Sequence, residues 1–254
     1  MEWFVKEDSV VREIWGNADT ILFIFAGASA EFAVNKSVDW LYFTGKLPAD
    51  PLGRLFSTVT YARRIVFSEY QAALQAIDQI TAIHQKVENE RGAKIPDWAY
   101  RDVLFMLIDY SIRSFELLER KLTGEEKAEV FEVFHNVGSR MGIGGLPATY
   151  EAWLAMRQKQ LNENFVKSAF SVDLYKQYKK HLGLPRYVML KEVQVQLVPQ
   201  RISRLLSLGN WSALQVILPA YKMARSFKLH QFVKNLILPA KYQMEIAGLD
   251  AGTH

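Results

Sequence analysis

Between Pro51 and Val87 the chain reads PLGRLFSTVTYARRIVFSEYQAALQAIDQITAIHQKV. At helical spacing Ile77, Ile80, His84 and Val87 share one face, so a histidine is set into an otherwise apolar stripe. Just upstream, Arg54, Thr58 and Tyr61 fall at i, i+4 and i+7 and share a face of the preceding helix. An imidazole in apolar surroundings is either a core histidine satisfied by protein atoms or a ligand to a metal. Arg54 is either half of a surface ion pair, with Asp50 as partner, or a cation that meets a carboxylate from outside the chain. A hydroxyl can bond such a carboxylate or bound dioxygen. Taken together the four residues suit haem b, with His84 on the iron, Arg54 forked onto a propionate, and Thr58 and Tyr61 beside the cofactor.

Other chemistries are less well served. The 254 residues contain no cysteine, which removes thiolate ligation, iron–sulfur clusters, covalent haem attachment and disulfides. The sequence shows no phosphate-cradling loop, dinucleotide fingerprint, HExxH or nucleophile elbow. A di-iron bundle needs Glu-x-x-His twice, and only Glu132-Val-Phe-His135 occurs. Asp109 lies in a nearly all-apolar segment and must be paired or functional; Arg113, one turn on, is its expected partner. Asp39 and Lys36, before the Arg54 helix, are candidates for a distal base.

No period-two run of β-branched residues interrupts the helical patterns, and no repeat or linker composition appears, so residues 1–254 read as one all-α domain. A short helix over 9–16 precedes a long one capped by Asp19 or Thr20 and running to Phe43. In that helix Ala26 to Ala30 are small enough for another backbone, or a flat ligand, to come close. Residues 45–53 read as a loop with Pro51 in the next helix's first turn. Ser68 and Gln71 read as a capping box for the His84 helix, and Thr123 with Glu126 as another. Asp97 and Thr149 are expected N-caps, and Ser171 caps a helix that Gly183 and Pro185 end. Further helices are expected near 187–207, 211–218 and 220–238.

The net charge of +4 is unevenly spread. Residues 174–244 carry twelve Lys or Arg against one acid, Glu192. Lys222, Arg225, Lys228 and Lys234, interleaved with Leu218, Phe227 and Leu238, suit an amphipathic helix lying on an anionic membrane surface. The basic tail, 211–254, matches no nucleic-acid-binding motif, so no nucleic acid is expected as partner. The first residues, MEWFVKEDSVVREIWG, do not have the form of a signal peptide, and the expectation is a cytoplasmic protein, peripheral to a membrane at most.

The pattern Arg54-x-x-x-Thr58, Val66-Phe67 and His84-x-x-Val87 resembles the core of the rubber oxygenase (latex-clearing protein) and MpaB-like oxygenase family. Leu122-Thr123-x-Glu125-Glu126, Met141-Gly142 and Leu146-Pro147-x-Thr149 extend the likeness over about residues 10–160. The resemblance implies a globin-like helical domain holding haem b. In it His84 takes the proximal ligand's place, and Arg54 and Thr58 stand beside the haem, Thr58 as a candidate catalytic residue with Asp39. It also implies a hydrophobic, unsaturated, isoprenoid-like substrate cleaved with dioxygen. Ser57 stands where rubber oxygenases have a distal lysine, Ser68 replaces a usual glycine, and Leu107-Ile108-Asp109 replaces Trp-Val-His. These departures touch the reaction more than the cofactor. The competing functions are a haem protein that senses or stores a gas or carries haem, and a cofactor-free helical protein at a membrane surface.

Overall fold

The computed structural model describes residues 2–219. Among them every extended element is a helix, and β pairing is confined to two isolated bridges. Side chains fix most of the helix starts. Ser9 caps α1 (Val10–Gly16). Asn17 ends α1 and also caps α2 (Ala18–Val34), its Oδ1 accepting the N–H groups of Asp19 and Thr20 at 2.9 and 3.2 Å. Asp19 and Thr20, the expected caps, are therefore the residues being capped, and the two helices meet at 84°.

The expected long helix breaks at Asn35. Its Oδ1 turns back onto the Ser37 N–H at 2.8 Å, and its Nδ2 donates to the buried Asp102 at 2.8 Å. A side chain that bonds its own backbone two residues on ends a helix, and α3 (Val38–Phe43) starts afresh. The expected loop contains a single turn, α4 (Lys46–Ala49), after which Asp50 caps α5 (Pro51–Val66) through the Gly53 N–H at 3.0 Å. The capping box expected at Ser68 does not form. Instead α6 (Tyr70–Arg91) begins where the Tyr70 N–H donates to the Glu2 carbonyl at 2.9 Å, beside a Trp3–Glu69 bridge, so the N-terminal segment supplies the missing acceptor.

Pro96 is the N-cap of α7 (Asp97–Leu118), which places Asp97 in the first turn instead of at the cap. The Thr123–Glu126 box opens α8 (Gly124–Arg140), and Thr149 opens α9 (Tyr150–Glu163), both as expected. Ser168 caps α10 (Ala169–Leu197) and Ser171 answers as the third residue of that box. Gly183 and Pro185 kink this helix without ending it, Gly183 adopting φ 73°. α11 (Gln200–Leu206) and a helical stretch at 214–219 follow. The helix expected at 220–238, and most of the basic tail, lie outside the described residues. None of the described helices alone is long and apolar enough to cross a membrane.

Helix α2 runs through the middle of the core, flanked by α7 and α10. Its small residues serve helix packing: a Cβ at Gly27 would run into the ring of Tyr110 on α7. Tyr110 cannot swing away, because it is fully buried and its hydroxyl donates to Glu31 at 2.8 Å. On the other side, the Gln194 amide of α10 donates to the Ala26 carbonyl and the Ser29 hydroxyl at 3.2 and 3.1 Å. Gly27→Ala is therefore expected to lower stability by about 1–3 kcal/mol through overpacking, in spite of alanine's better helix propensity. Chemical denaturation of the two proteins measures it.

Candidate functional site

Helices α5 and α6 pack as a pair, and this brings Arg54 close enough for its charge to act on His84. Arg54 and Thr58 lie one turn apart on α5; the Arg54 Nη1 donates to the Thr58 Oγ1 at 2.8 Å, while that hydroxyl donates back to the Arg54 carbonyl at 3.3 Å. The threonine thus holds the guanidinium against its own helix. Burial pulls the Arg54 pKa below its ordinary value. Among the described residues no carboxylate lies within ion-pair distance of it. A partly desolvated guanidinium without a counter-anion favours an anion brought from outside.

His84 is half-buried on α6. Its Nδ1 lies 2.9 Å from the Ile80 carbonyl. A carbonyl only accepts, so Nδ1 carries the hydrogen in this pair and Nε2 keeps its lone pair. Nε2 makes no hydrogen bond among the described residues. Burial, and secondarily the Arg54 charge, lower the His84 pKa, against the opposing Ile80 carbonyl and Glu88. The ring is therefore neutral at pH 7, oriented, and has one free donor atom, as a metal-binding imidazole requires.

Two groups that the sequence did not single out complete the surroundings. The Tyr100 ring of α7 stands edge-on to His84 at 5.2 Å between centroids, and its hydroxyl donates to Glu88 at 3.0 Å. Glu88 also accepts the Ile95 N–H at 2.9 Å, so it ties the end of α6 to the loop before α7. The one available signal was Glu88 four residues after His84; nothing local pointed to Tyr100, which arrives by tertiary packing. Burial and Glu88 raise the Tyr100 pKa well above its usual value and keep the phenol neutral. A cleft of about 250 Å³ opens beside His84, with Glu88, Tyr100 and Met141–Ile143 on its walls. Small-molecule sites commonly enclose about 300–1,000 Å³, so a large flat ligand bound through His84 needs room beyond this cleft.

The other sequence candidates are placed as follows. Tyr61 is half-buried, one turn after Thr58 on α5. Asp39 accepts from Arg91 at 2.7 Å, and Arg91 also covers the Trp40 ring at 3.9 Å. That ion pair engages the carboxylate at the end of α6, two helical turns beyond His84. Ser57 is exposed. Asp109 does pair with Arg113 as expected, at 2.7 Å, and also with Arg157, which the sequence reading missed. Among the described residues no group of three or more His, Cys, Asp or Glu side chains could hold a metal ion by itself.

The family described as ER-bound oxygenase mpaB/B'/rubber oxygenase, catalytic domain, matches residues 16–228, most of the chain. No curated protein matches it.

Proposed function

The chain belongs to the mpaB/rubber oxygenase catalytic-domain family, and from that membership we propose that it is an oxygenase that binds haem b through His84 and acts with dioxygen on a hydrophobic, unsaturated substrate. One observation carries the cofactor assignment: the neutral His84 imidazole, fixed by Ile80, has a free Nε2 beside a guanidinium lacking a carboxylate. Iron in a porphyrin brings four ligands of its own and needs one from the protein, so a lone histidine suffices where a bare ion would need a cluster. The donor set fits: a soft nitrogen for the iron, and a cation for a propionate.

In this reading Ile80 sets the ring's tautomer, His84 binds, Thr58 steers Arg54, and Arg54 neutralises the cofactor's carboxylate. Tyr100, braced by Glu88, limits rotation of the imidazole. The chemistry that haem supplies when bound is activation of dioxygen toward an electron-rich double bond. The engaged Asp39 and the exposed Ser57 favour, as second reading, a haem protein without turnover.

The visible absorption spectrum of the purified protein, before and after added haem, tests the cofactor. A Soret band at one haem per chain supports it, and no band after reconstitution ends it. Dioxygen uptake with isoprenoid alkenes then separates oxygenase from carrier. Arg54→Ala is expected to keep the band but release haem roughly 10–100-fold faster to an apoglobin trap, since it removes an outer ion pair and leaves the iron ligand. Arg54→Lys should restore only part of the retention, for a point charge lacks the two-pronged geometry.

A further inference from the structure

We infer that the outer face of α10, with the 211–217 segment anchored beside it, is a docking surface for an anionic lipid bilayer. This rests on described residues and is independent of the cofactor.

The inner face of α10 is fixed by the buried Leu174, Tyr178, Leu182, Val193 and Leu197. The opposite face is exposed and reads Lys176, Lys179 and Lys180 before the kink, then Leu184 and Val188 after it. Leu184 sits at the break itself, between the positive-φ Gly183 and Pro185, and is 60% exposed; Val188, one turn on, is 49% exposed. Helical geometry puts Glu192 on the same side, about 12 Å from Leu184. There the Glu192 side chain accepts the Ala213 N–H at 2.7 Å and its carbonyl accepts the Ser212 hydroxyl at 3.1 Å. These bonds hold the next segment to the end of α10, and that segment presents Trp211 at 68%, Val216 at 73% and Ile217 at 56% exposure.

Charge chooses the occupant. Lys176, Lys179, Lys180 and Lys191 have no carboxylate partner among the described residues. The two acids of α10 are already occupied by protein donors, Asp173 by the Tyr42 hydroxyl at 3.0 Å and Glu192 by the Ala213 N–H. The face therefore offers unpaired ammonium groups around protruding aliphatic side chains and a tryptophan. Lysines reach lipid headgroup phosphates, Leu, Val and Ile enter the acyl boundary, and the indole sits between them. Nucleic acid would use the lysines but would leave the aliphatic tip in water.

Co-sedimentation of the full chain with vesicles tests the surface, using phosphatidylcholine alone and phosphatidylcholine mixed with phosphatidylserine. The expected result is pelleting with the mixed vesicles only. It should fall at least about tenfold in Lys179→Glu/Lys180→Glu, each charge near an anionic surface being worth roughly a fivefold change in partition. A similar loss is expected in Leu184→Ser/Val188→Ser, and none in Lys86→Glu on α6. All positions changed are exposed, so the fold should persist, and circular dichroism checks that it does. Equal pelleting with both vesicle types, no pelleting, or pelleting unchanged in both double variants overturns the proposal. So does a dimer that the Leu184→Ser/Val188→Ser protein no longer forms, in the absence of vesicle binding, which would give the face to a second copy of the chain. The readout is protein mass, so it stands or falls apart from the haem reading.

Discussion

His84→Ala is expected to purify without haem and to stay colourless when haem is added. Replacing an outer partner of a metal ligand typically costs about 10–100-fold in affinity; removing the ligand itself should exceed that, so haem per chain should fall by at least ~100-fold. The substitution is mild for the fold. His84 is half-buried, its only hydrogen bond goes to the carbonyl one turn back in its own helix, and alanine is the best helix former. A thermal midpoint near that of the unchanged apoprotein would therefore separate loss of the ligand from loss of structure. Imidazole added to the variant should fill the vacated space and restore a Soret band, which a merely structural histidine would not permit. The sign of the pH dependence follows from the lowered pKa. Protons compete with iron for Nε2 only below the ordinary histidine range, so haem should be retained through mildly acidic pH and released further down. A His84→Ala protein that binds haem as tightly as the unchanged chain would move the ligand elsewhere and take the site with it.

What could be read from the sequence follows from how local each cause is. The face shared by Arg54 and Thr58, the Thr123–Glu126 box and the Asp109–Arg113 pair all lie within a single turn of helix, and all form. The expectations that failed were those where a local signal competed with a distant partner. Ser68 and Gln71 satisfy the capping pattern, but the backbone at Glu2 reaches α6 first. Asp19 and Thr20 are good caps, yet Asn17 precedes them and takes both of their N–H groups. Gly183 and Pro185 have the composition of a helix end, and the apolar residues on both sides of them keep α10 on the core as a kinked rod. At the site, Tyr100 and Glu88 escaped notice because the edge-on contact with His84 joins α7 to α6. Asp39 looked available because Arg91, its partner, lies 52 residues later in the chain.

The same distance from sequence to contact hides the group on which the fold depends most, and its loss should show the largest effect on stability. Arg157 on α9 is 4% exposed and spends all five of its N–H groups: on Glu31 at 2.5 and 2.6 Å, on Asp109 at 2.8 and 3.2 Å, and on Gln160 at 2.8 Å. Burial would lower its pKa, but Glu31 and Asp109 outweigh that and raise it, while Arg157 and Arg113 hold Asp109 below the usual carboxylate range despite burial. Two acids and two arginines make the cluster neutral, and it joins α2, α7 and α9. Arg157→Leu keeps much of the volume but leaves Glu31 without its cation and Asp109 with Arg113 alone. Breaking a buried pair in this way costs about 3–5 kcal/mol, a large part of a typical 5–15 kcal/mol total, and a midpoint lower by on the order of 10 °C is expected. The deficit should depend on pH with a defined sign. In the unchanged protein the depressed Asp109 pKa contributes stability that is present above the unfolded-state value and lost as pH falls. In the variant the stranded carboxylates bind protons more readily when folded than when unfolded, so acidification helps it. The gap between the two proteins should therefore narrow from pH 7 toward pH 4. Arg157→Leu combined with Glu31→Gln, which removes the stranded charge but keeps an acceptor for Tyr110, should recover part of the loss even at pH 7. Thermal unfolding across that pH range measures all three proteins, and a gap that widens in acid would show that the cluster is not what holds these helices together.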